Sequence, residues 1–353
     1  MKRILHIVEP LAGGIMSFLQ DITKLQVCKY EVYIIYGIRP QTPPNVECLF
    51  DKRVHLIRLD SFKGALGTVL NPKAYFDVYR LYKQIDPDIV HLHSSASGFV
   101  GRLAIPCRKN KVFYTPHGYS FLMQDVSRVK RVLYWLIEKV SAQLKSTTIA
   151  CGWGEYQEAL KLSKKSTFVN NGINIETLTP YVKDVERIHP PVKICTSGRV
   201  VFQKNPKLFN EIAVLLPNAE FFWIGTGDME SELTSPNIKV TGWTDRITAL
   251  NILQNADIFI LTSLWEGLPI ALLEAMYLKK ICLISNVIGN RDVIESGRNG
   301  IICNTAEDYV NAINGLVNGS LDGKKMADQA HVDVETKYSV WQMEKKYDEI
   351  YKR

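Results

Sequence analysis

The sequence predicts an α/β protein made of two doubly wound, parallel-sheet domains. Three observations carry that expectation. Short apolar runs alternate with amphipathic stretches along almost the whole chain, as βαβ units require. The alternation breaks once, in the polar, proline-containing segment 170–191 (NNGINIETLTPYVKDVERIHPP), which reads as a link between domains. The 353 residues, 46% hydrophobic and 22% charged, suffice for two cores of ordinary size.

In the first half, strands are expected at Arg3–Val8, Glu31–Tyr36, His55–Leu59, Ile89–His93, Lys111–Thr115, Thr147–Ala150 and Thr167–Val169. Amphipathic stretches at Ile15–Gln26, Ala74–Gln84 and Lys130–Lys145 supply covering helices. After the link, strands are expected at Val192–Ser197, Glu220–Ile224, Ile238–Thr241, Asp257–Thr262, Ile281–Ser285 and Gly300–Cys303, with helices starting near Pro206 and Pro269. Val340–Tyr351 is a helical pattern that follows a stretch without strands. The domains are expected at 1–175 and 176–339, facing across a cleft, with the last helix, 340–353, packing back on the first domain.

Composition excludes several classes. The opening MKRILHIV has too short an apolar stretch for a secretory signal, carries a His and lacks a small-residue cleavage site, so it reads as a first buried strand. The longest apolar window, Leu261–Leu278, contains two glutamates, a Gly and a Pro and is a poor membrane span. The seven cysteines (28, 48, 107, 151, 195, 282 and 303) are scattered, odd in number and without zinc-site spacing, which suits reduced thiols in the cytoplasm. Residues 1–175 hold 24 Lys/Arg against 13 Asp/Glu, a net of +11, while residues 176–353 hold 19 against 23, a net of −4. A basic first half fits an anionic lipid surface or an anionic acceptor, although ordinary solvated faces explain it equally well. The basic residues form no single stripe and no recognition motif is present, so nucleic acid is not expected. Segment Val126–Lys145 carries Arg128, Lys130, Arg131 and Lys139 beside Leu133, Trp135, Leu136 and Val140. Its apolar positions are expected to pack on the first sheet, leaving the cations to solvent, phospholipid or a lipid diphosphate.

Chemistry concentrates where strands end. Glu266 and Glu274 stand eight positions apart, the first at the C-terminal mouth of strand Asp257–Thr262 and the second in the helix that follows. That mouth is where open α/β sheets bind ligands, and ionised carboxylates only accept hydrogen bonds, so the pair suits a ligand rich in hydroxyls. Gly198, Arg199 and Lys204 follow another strand and precede a helix, where a guanidinium fork and a mobile ammonium suit a diphosphate. Gly13 and Gly14 open the first helix; paired glycines let amides approach a phosphate, and a plain tight turn is the competing reading. Gly225 and Gly227 form a turn that either passes under a nucleobase or is only a connection. His117 ends strand Lys111–Thr115 beside Gly118. His91 and His93 alternate on one strand face and are expected to be structural, because no zinc spacing accompanies them. Asp86-Pro-Asp88 is explained by a turn, and no metal site is expected.

Taken in order along residues 1–303, these motifs resemble the retaining glycosyltransferases of GT-B fold, in the group called family 4 or group 1. The residues that carry the resemblance are Gly13-Gly14, Pro87–His93 (PDIVHLH), Thr115-Pro-His117-Gly118, Asn170-Asn171-Gly172-Ile173, Gly198-Arg199 with Lys204-Asn205-Pro206, Gly225-Thr-Gly227, and Glu266-Gly-Leu-Pro leading to Glu274-Ala-Met276. The resemblance implies that Arg199 and Lys204 bind the donor diphosphate and stabilise the leaving group, that Glu274 accepts from ribose hydroxyls, and that Glu266 holds the transferred sugar. The amides of Gly267 and Leu268, beside Pro269, would lie against sugar and phosphate. His117 would touch the donor sugar, Gly14 would let the first loop cover the phosphates, and Asn171, Gly198, Gly225 and Gly227 would line the substrate. Two departures stand out: Ala-Gly-Gly-Ile replaces the longer Gly-Gly-x-Glu-x loop, and Gly-Leu-Pro stands where many relatives have Gly-Phe-Gly.

The expected activity is therefore metal-independent, cofactor-free, retaining transfer of a hexosyl or N-acetylhexosaminyl unit. The donor is a nucleotide-diphosphate sugar, uridine-linked, and the acceptor a saccharide or lipid-linked saccharide in bacterial cell-surface polysaccharide synthesis at the inner membrane face. The motifs leave glucose, galactose, mannose and N-acetylhexosamine equally open. Two rivals are a non-hydrolysing sugar-nucleotide epimerase and a catalytically silent, saccharide-binding subunit.

Overall fold

Thirteen strands form two wholly parallel sheets in a computed structural model that describes residues 1–106, 111–144 and 146–353. Cys107 and Lys145 lie outside the described residues. The first sheet holds β1 (Lys2–Pro10), β2 (Tyr30–Gly37), β3 (His55–Arg58), β4 (Ile89–His93), β5 (Lys111–Thr115), β6 (Thr147–Ala150) and β7 (Ser166–Phe168), in the order β3-β2-β1-β4-β5-β6-β7. The second holds β8 (Lys193–Ser197), β9 (Glu220–Ile224), β10 (Ile238–Val240), β11 (Ile258–Leu261), β12 (Ile281–Ser285) and β13 (Ile301–Cys303), in the order β10-β9-β8-β11-β12-β13. Each order reverses once, between β1 and β4 and between β8 and β11. There the loops leaving two adjacent strands turn opposite ways and open a crevice at the carboxyl ends. Expected and observed strand ends agree within two residues.

The chain divides into two compact units: Met1–Asn171 with Val340–Arg353, and Gly172–Ser339. The first unit has cores on both faces of its sheet. One contains Ile4, Phe18, Val32 and Tyr347, and the other Leu5, Val78, Val90 and Tyr114. Helix Val340–Lys352 is fixed to this unit by Lys29 Nζ donating to Glu344 at 2.8 Å and Tyr30 Oη donating to Asp348 at 2.6 Å. In the second unit the core gathers Ile194, Phe209, Trp223, Ile260 and Leu283.

Segment 170–191 is more than a link. Leu178 is buried, Ile188 joins the core of the second unit, and Ile173 bridges to Ser339. Its polar residues lie among a few anchors that composition alone does not reveal.

Several helices carried no clear signal. Ser95–Ala104 contains Gly98 and Gly101, which weaken helix propensity. Both face the sheet, where a Cβ at Gly98 would meet the Tyr114 ring at 2.3 Å and one at Gly101 would meet Leu92 at 2.4 Å. Close packing therefore selects the glycines. Past β13, a capping box of Thr305 and Asp308 starts helix Ala306–Asn318.

Helix Arg128–Ser141 corrects an expectation. Leu133, Leu136 and Val140 are exposed, as are Val129 and Val132, while Tyr134 and Trp135 pack on the core. The face turned inward carries Glu138, which accepts from Arg102 Nη2 at 2.9 Å and Tyr114 Oη at 2.8 Å. A buried carboxylate with two donors fixes which side of the helix faces the sheet, and the apolar stripe is left outside. Among the described residues no helix is long and apolar enough to cross a membrane.

Candidate active site

In the second unit the candidate residues meet where β8 and β11 end side by side. β8 gives way to Gly198, whose N–H donates to Ile224 O at 3.0 Å. A short turn, Phe202–Lys204, then leads to Asn205, in left-handed conformation, which caps helix Pro206–Leu215. From β11 the chain runs through Thr262 and Ser263 to Glu266. Thr262 Oγ1 donates to Lys204 O at 2.7 Å, Leu264 N–H to Gln203 O at 2.8 Å, and Gln203 Nε2 to Trp265 O at 2.9 Å. These bonds stitch the two loops together and set one side chain against the other. Lys204 Nζ donates to Glu266 Oε1 at 2.6 Å, and Ser263 Oγ donates to the same oxygen at 2.7 Å.

The electrostatics follow from that pairing. Glu266 is buried and balances Lys204, which keeps two of its three ammonium donors for other partners. Arg199 is exposed, and among the described residues its guanidinium has no ion-pair partner. The cluster thus presents one uncompensated positive charge. Helix Ile270–Tyr277 begins after Pro269 with no side-chain cap, and the Leu272 and Leu273 N–H groups turn back to Pro269 O at 3.2 and 3.3 Å. One and a half turns in, buried Glu274 accepts from Arg246 Nη2 at 2.6 Å. Arg246 starts helix Arg246–Asn255 and went unnoticed in the sequence. Only its N-cap, Asp245, marks the spot, and nothing local links it to a residue 28 positions on.

Gly225 and Gly227 are required by close backbone approach. A Cβ at Gly225 would sit 2.3 Å from Gly198 O, and one at Gly227 2.3 Å from Val200 O. The Gly227 N–H donates to Glu230 Oε1 at 3.2 Å. The turn therefore holds the β8 loop in place.

In the first unit, Gly13 and Gly14 open helix Gly13–Gln26 after β1. A Cβ at either would meet nothing within 4 Å, and no side chain caps the helix. Asn171 ends the unit, with its N–H donating to Cys151 O at 3.0 Å. His117 follows β5 at a positive φ of 53°. Its turn is held by buried Glu155, which accepts from Gly118 N–H at 2.6 Å and Cys151 N–H at 2.7 Å. Glu155 was not singled out from the sequence, because its partners lie four and 37 positions away.

Behind His117 lies a cluster of histidines. His93 Nδ1 meets His117 Nε2 at 3.0 Å, His6 Nδ1 meets His93 Nε2 at 2.9 Å, and His6 Nε2 meets Gln26 Oε1 at 2.9 Å. His91 lies beside them, with Nδ1 on Tyr351 Oη at 2.6 Å and Nε2 on Thr115 Oγ1 at 2.8 Å. Burial disfavours the imidazolium throughout: it lowers His6 to about 4 and His117 to about 3, and drives His91 and His93 well below the usual value. Nitrogens of His6, His91 and His93 lie within 4.8 Å of one another. All six nitrogens of these rings are already hydrogen-bonded, so no lone pair faces a cation and the residues do not fit a metal.

Comparison with known proteins places this arrangement. Residues 12–177 match the family described as Glycosyltransferase Family 4, and residues 181–332 match the one described as Glycosyl transferases group 1. The chain belongs to the group 1 glycosyltransferases. This glycosyltransferase is 28% identical, over 88% of its own length and 87% of the relative's, to the UDP-Gal:alpha-D-GlcNAc-diphosphoundecaprenol alpha-1,3-galactosyltransferase of Escherichia coli. It is 25% identical, over 83% of each chain, to the N,N'-diacetylbacillosaminyl-diphospho-undecaprenol alpha-1,3-N-acetylgalactosaminyltransferase of Campylobacter jejuni. Its fold matches that of sucrose-phosphate synthase from Thermosynechococcus elongatus with a TM-score of 0.83 at 14% identity, covering 99% of this chain and 98% of that one. The two parallel-sheet units are those of a GT-B glycosyltransferase.

Of the residues marked by sequence, the glycosyltransferase gathers Gly198, Arg199, Lys204, Gly225, Gly227, Glu266, Gly267, Leu268, Pro269 and Glu274 in its second unit. Gly13, Gly14, His117 and Asn171 belong to the first.

Proposed function

We propose that this glycosyltransferase moves a hexosyl or N-acetylhexosaminyl unit, with retention and without a metal, from a uridine-diphosphate sugar to a lipid-linked saccharide in cell-surface polysaccharide synthesis. The observation that carries the reading is the joined Lys204–Glu266 pair beside exposed Arg199, with Glu274 on the next helix. A sugar nucleotide has a diphosphate between two polyols. Lys204 and Arg199 supply two positive charges to the diphosphate as charge builds on the departing oxygen. Glu266, held by Ser263, accepts from hydroxyls of the transferred sugar, and Glu274, held by Arg246, accepts from the ribose. Arg199, unpaired among the described residues, with Lys204 shared between Glu266 and the phosphates, is the cationic set this reading assigns to the diphosphate in place of a divalent ion. His117 and the uncapped helix start at Gly13-Gly14 are the first unit's candidates for binding substrate.

The acceptor class is supported by the two relatives, both named for transfer onto a sugar linked to diphospho-undecaprenol. Helix Arg128–Ser141 supports a membrane-facing surface. It exposes Val129, Val132, Leu133, Leu136 and Val140, and carries Arg128, Lys130, Arg131 and Lys139. An apolar stripe bordered by cations is what an anionic interface accepts.

The test is transfer from UDP-sugars to a diphospholipid-linked saccharide, with product configuration read by NMR. Lys204→Met and Glu274→Ala should each lower kcat/KM by roughly 10²–10³ while circular dichroism stays native. EDTA should leave the wild-type rate unchanged. Wild-type turnover in both variants would sink the site assignment, and loss with EDTA restored by Mg²⁺ would sink the metal-free reading.

A further inference from the structure

The histidine chain behind His117 has a direction. Each neutral imidazole offers one N–H donor and one lone pair. Burial keeps all these rings neutral, so each contact in the chain must have one donor and one acceptor. Gln26 turns its amide oxygen toward His6, and an oxygen only accepts, so His6 carries its proton on Nε2. His6 Nδ1 is then a lone pair and must receive a proton from His93 Nε2. His93 Nδ1 is in turn a lone pair and must receive one from His117 Nε2. A choice made at Gln26 is thereby transmitted through two buried rings.

We propose that Gln26, His6 and His93 are positioning residues that lock His117 as its Nε2–H tautomer and present Nδ1 as a fixed lone pair, an acceptor for a substrate hydroxyl. The surroundings keep the polarity from drifting. Gln26, His6 and His93 are shut off from solvent, so water cannot supply an alternative donor. Phe18 meets the His117 ring edge-on with centroids 4.9 Å apart, which limits rotation of the ring. Glu155 holds the turn on which the ring sits. His91 bonds Tyr351 and Thr115, and Tyr351 in turn interacts with the Gln26 side chain, so this branch meets the chain at Gln26. With Nδ1 unprotonated, His117 favours a ligand that donates at that point, as a sugar hydroxyl does, over one that only accepts. The use of the lone pair in transfer rests on the proposed function; the tautomer itself does not.

The tautomer is read in the resting protein by ¹⁵N-histidine NMR, from one- and two-bond couplings and from N–H···N couplings across the hydrogen bonds. In the wild type His6, His93 and His117 should all be Nε2–H, with couplings across both His–His contacts. Gln26→Lys, which donates as its ammonium, should convert His117 to Nδ1–H and lower kcat on the order of a hundredfold, with donor KM within about threefold. Gln26→Met, which removes both hydrogen-bonding groups at similar volume, should give His117 a measurable Nδ1–H population. An Nδ1–H His117 in the wild type overturns the proposal, as does an unchanged single tautomer in the Lys and Met variants. Should Gln26→Lys fail to fold, the wild-type and Met spectra still decide. Tautomers that shift as expected while turnover does not would spare the relay and remove His117 from the chemistry.

Discussion

At the scale of single residues the glycosyltransferase uses its charges in pairs. Lys204 holds Glu266, Arg246 holds Glu274 and Glu155 holds two amides, so each acidic group is oriented before any ligand arrives. The same economy applies to the backbone. Gly289, with φ of 85°, lies so close to the Glu266 loop that a Cβ would sit 2.1 Å from Gly267 O. Gly289→Ala should therefore destabilise the second unit by about 2–4 kcal/mol, from strain and clash together. Because the displaced group is the Gly267 carbonyl, kcat/KM should fall even where the protein remains folded, which thermal melts and rates on one preparation will separate. Glu266, Glu274, Lys204 and Arg199 were legible in the sequence because each sits at a fixed offset from a strand end or a helix start. Arg246, Gln26 and Glu155 were not. Their partners are set by tertiary proximity, and no spacing rule connects position 6 with 93 or 246 with 274.

At the scale of elements, strands proved easier to read than helices. A parallel strand buried on both faces is a near-continuous apolar run, so β11 and β12 announce themselves. Helices on the outside depend on which face is covered, and periodicity does not choose. Helix Arg128–Ser141 shows the ambiguity: its apolar stripe is real, but the Arg102–Glu138 pair claims the inner face. Removing one partner of such a buried pair strands the other, which makes the orientation hard to reverse. The outward stripe leads to a specific expectation. Replacing Val129, Leu133 and Leu136 together by Asp should release the enzyme from vesicles containing phosphatidylglycerol, and high salt should weaken wild-type binding. Transfer to a water-soluble acceptor should stay near the wild-type rate. Binding unaffected by the triple change, measured by vesicle sedimentation, would assign the stripe another partner.

At the scale of the whole molecule, the two units repeat one strand order and divide the chemistry. The first unit carries the excess of positive charge, the exposed helix and the histidine chain; the second carries the paired carboxylates and cations. Both sheets were visible from the alternation of the sequence, but their internal balance of protons was not, because desolvation depends on what surrounds a ring rather than on its neighbours in the chain. That balance makes the units differ in acid. His6, fully buried and neutral, has a folded value near 4 against about 6.5 when unfolded. As pH falls from 6.5 toward 4 the unfolded chain binds a proton that the folded chain refuses, so stability present above pH 6.5 is progressively lost. For His6 alone the loss approaches about 3 kcal/mol by pH 4, and His91, His93 and His117 act in the same direction. In the second unit Asp333, held low by Arg298, loses its contribution only below the usual carboxylate range. Hydrogen exchange, corrected for intrinsic rates, should show peptides of β1 and β4 losing protection between pH 7 and pH 5 while β8 and β11 hold theirs. His6→Phe should flatten that dependence. Opening of the second unit first, or an unchanged pH dependence in the variant, would mean that the histidines do not govern the acid response.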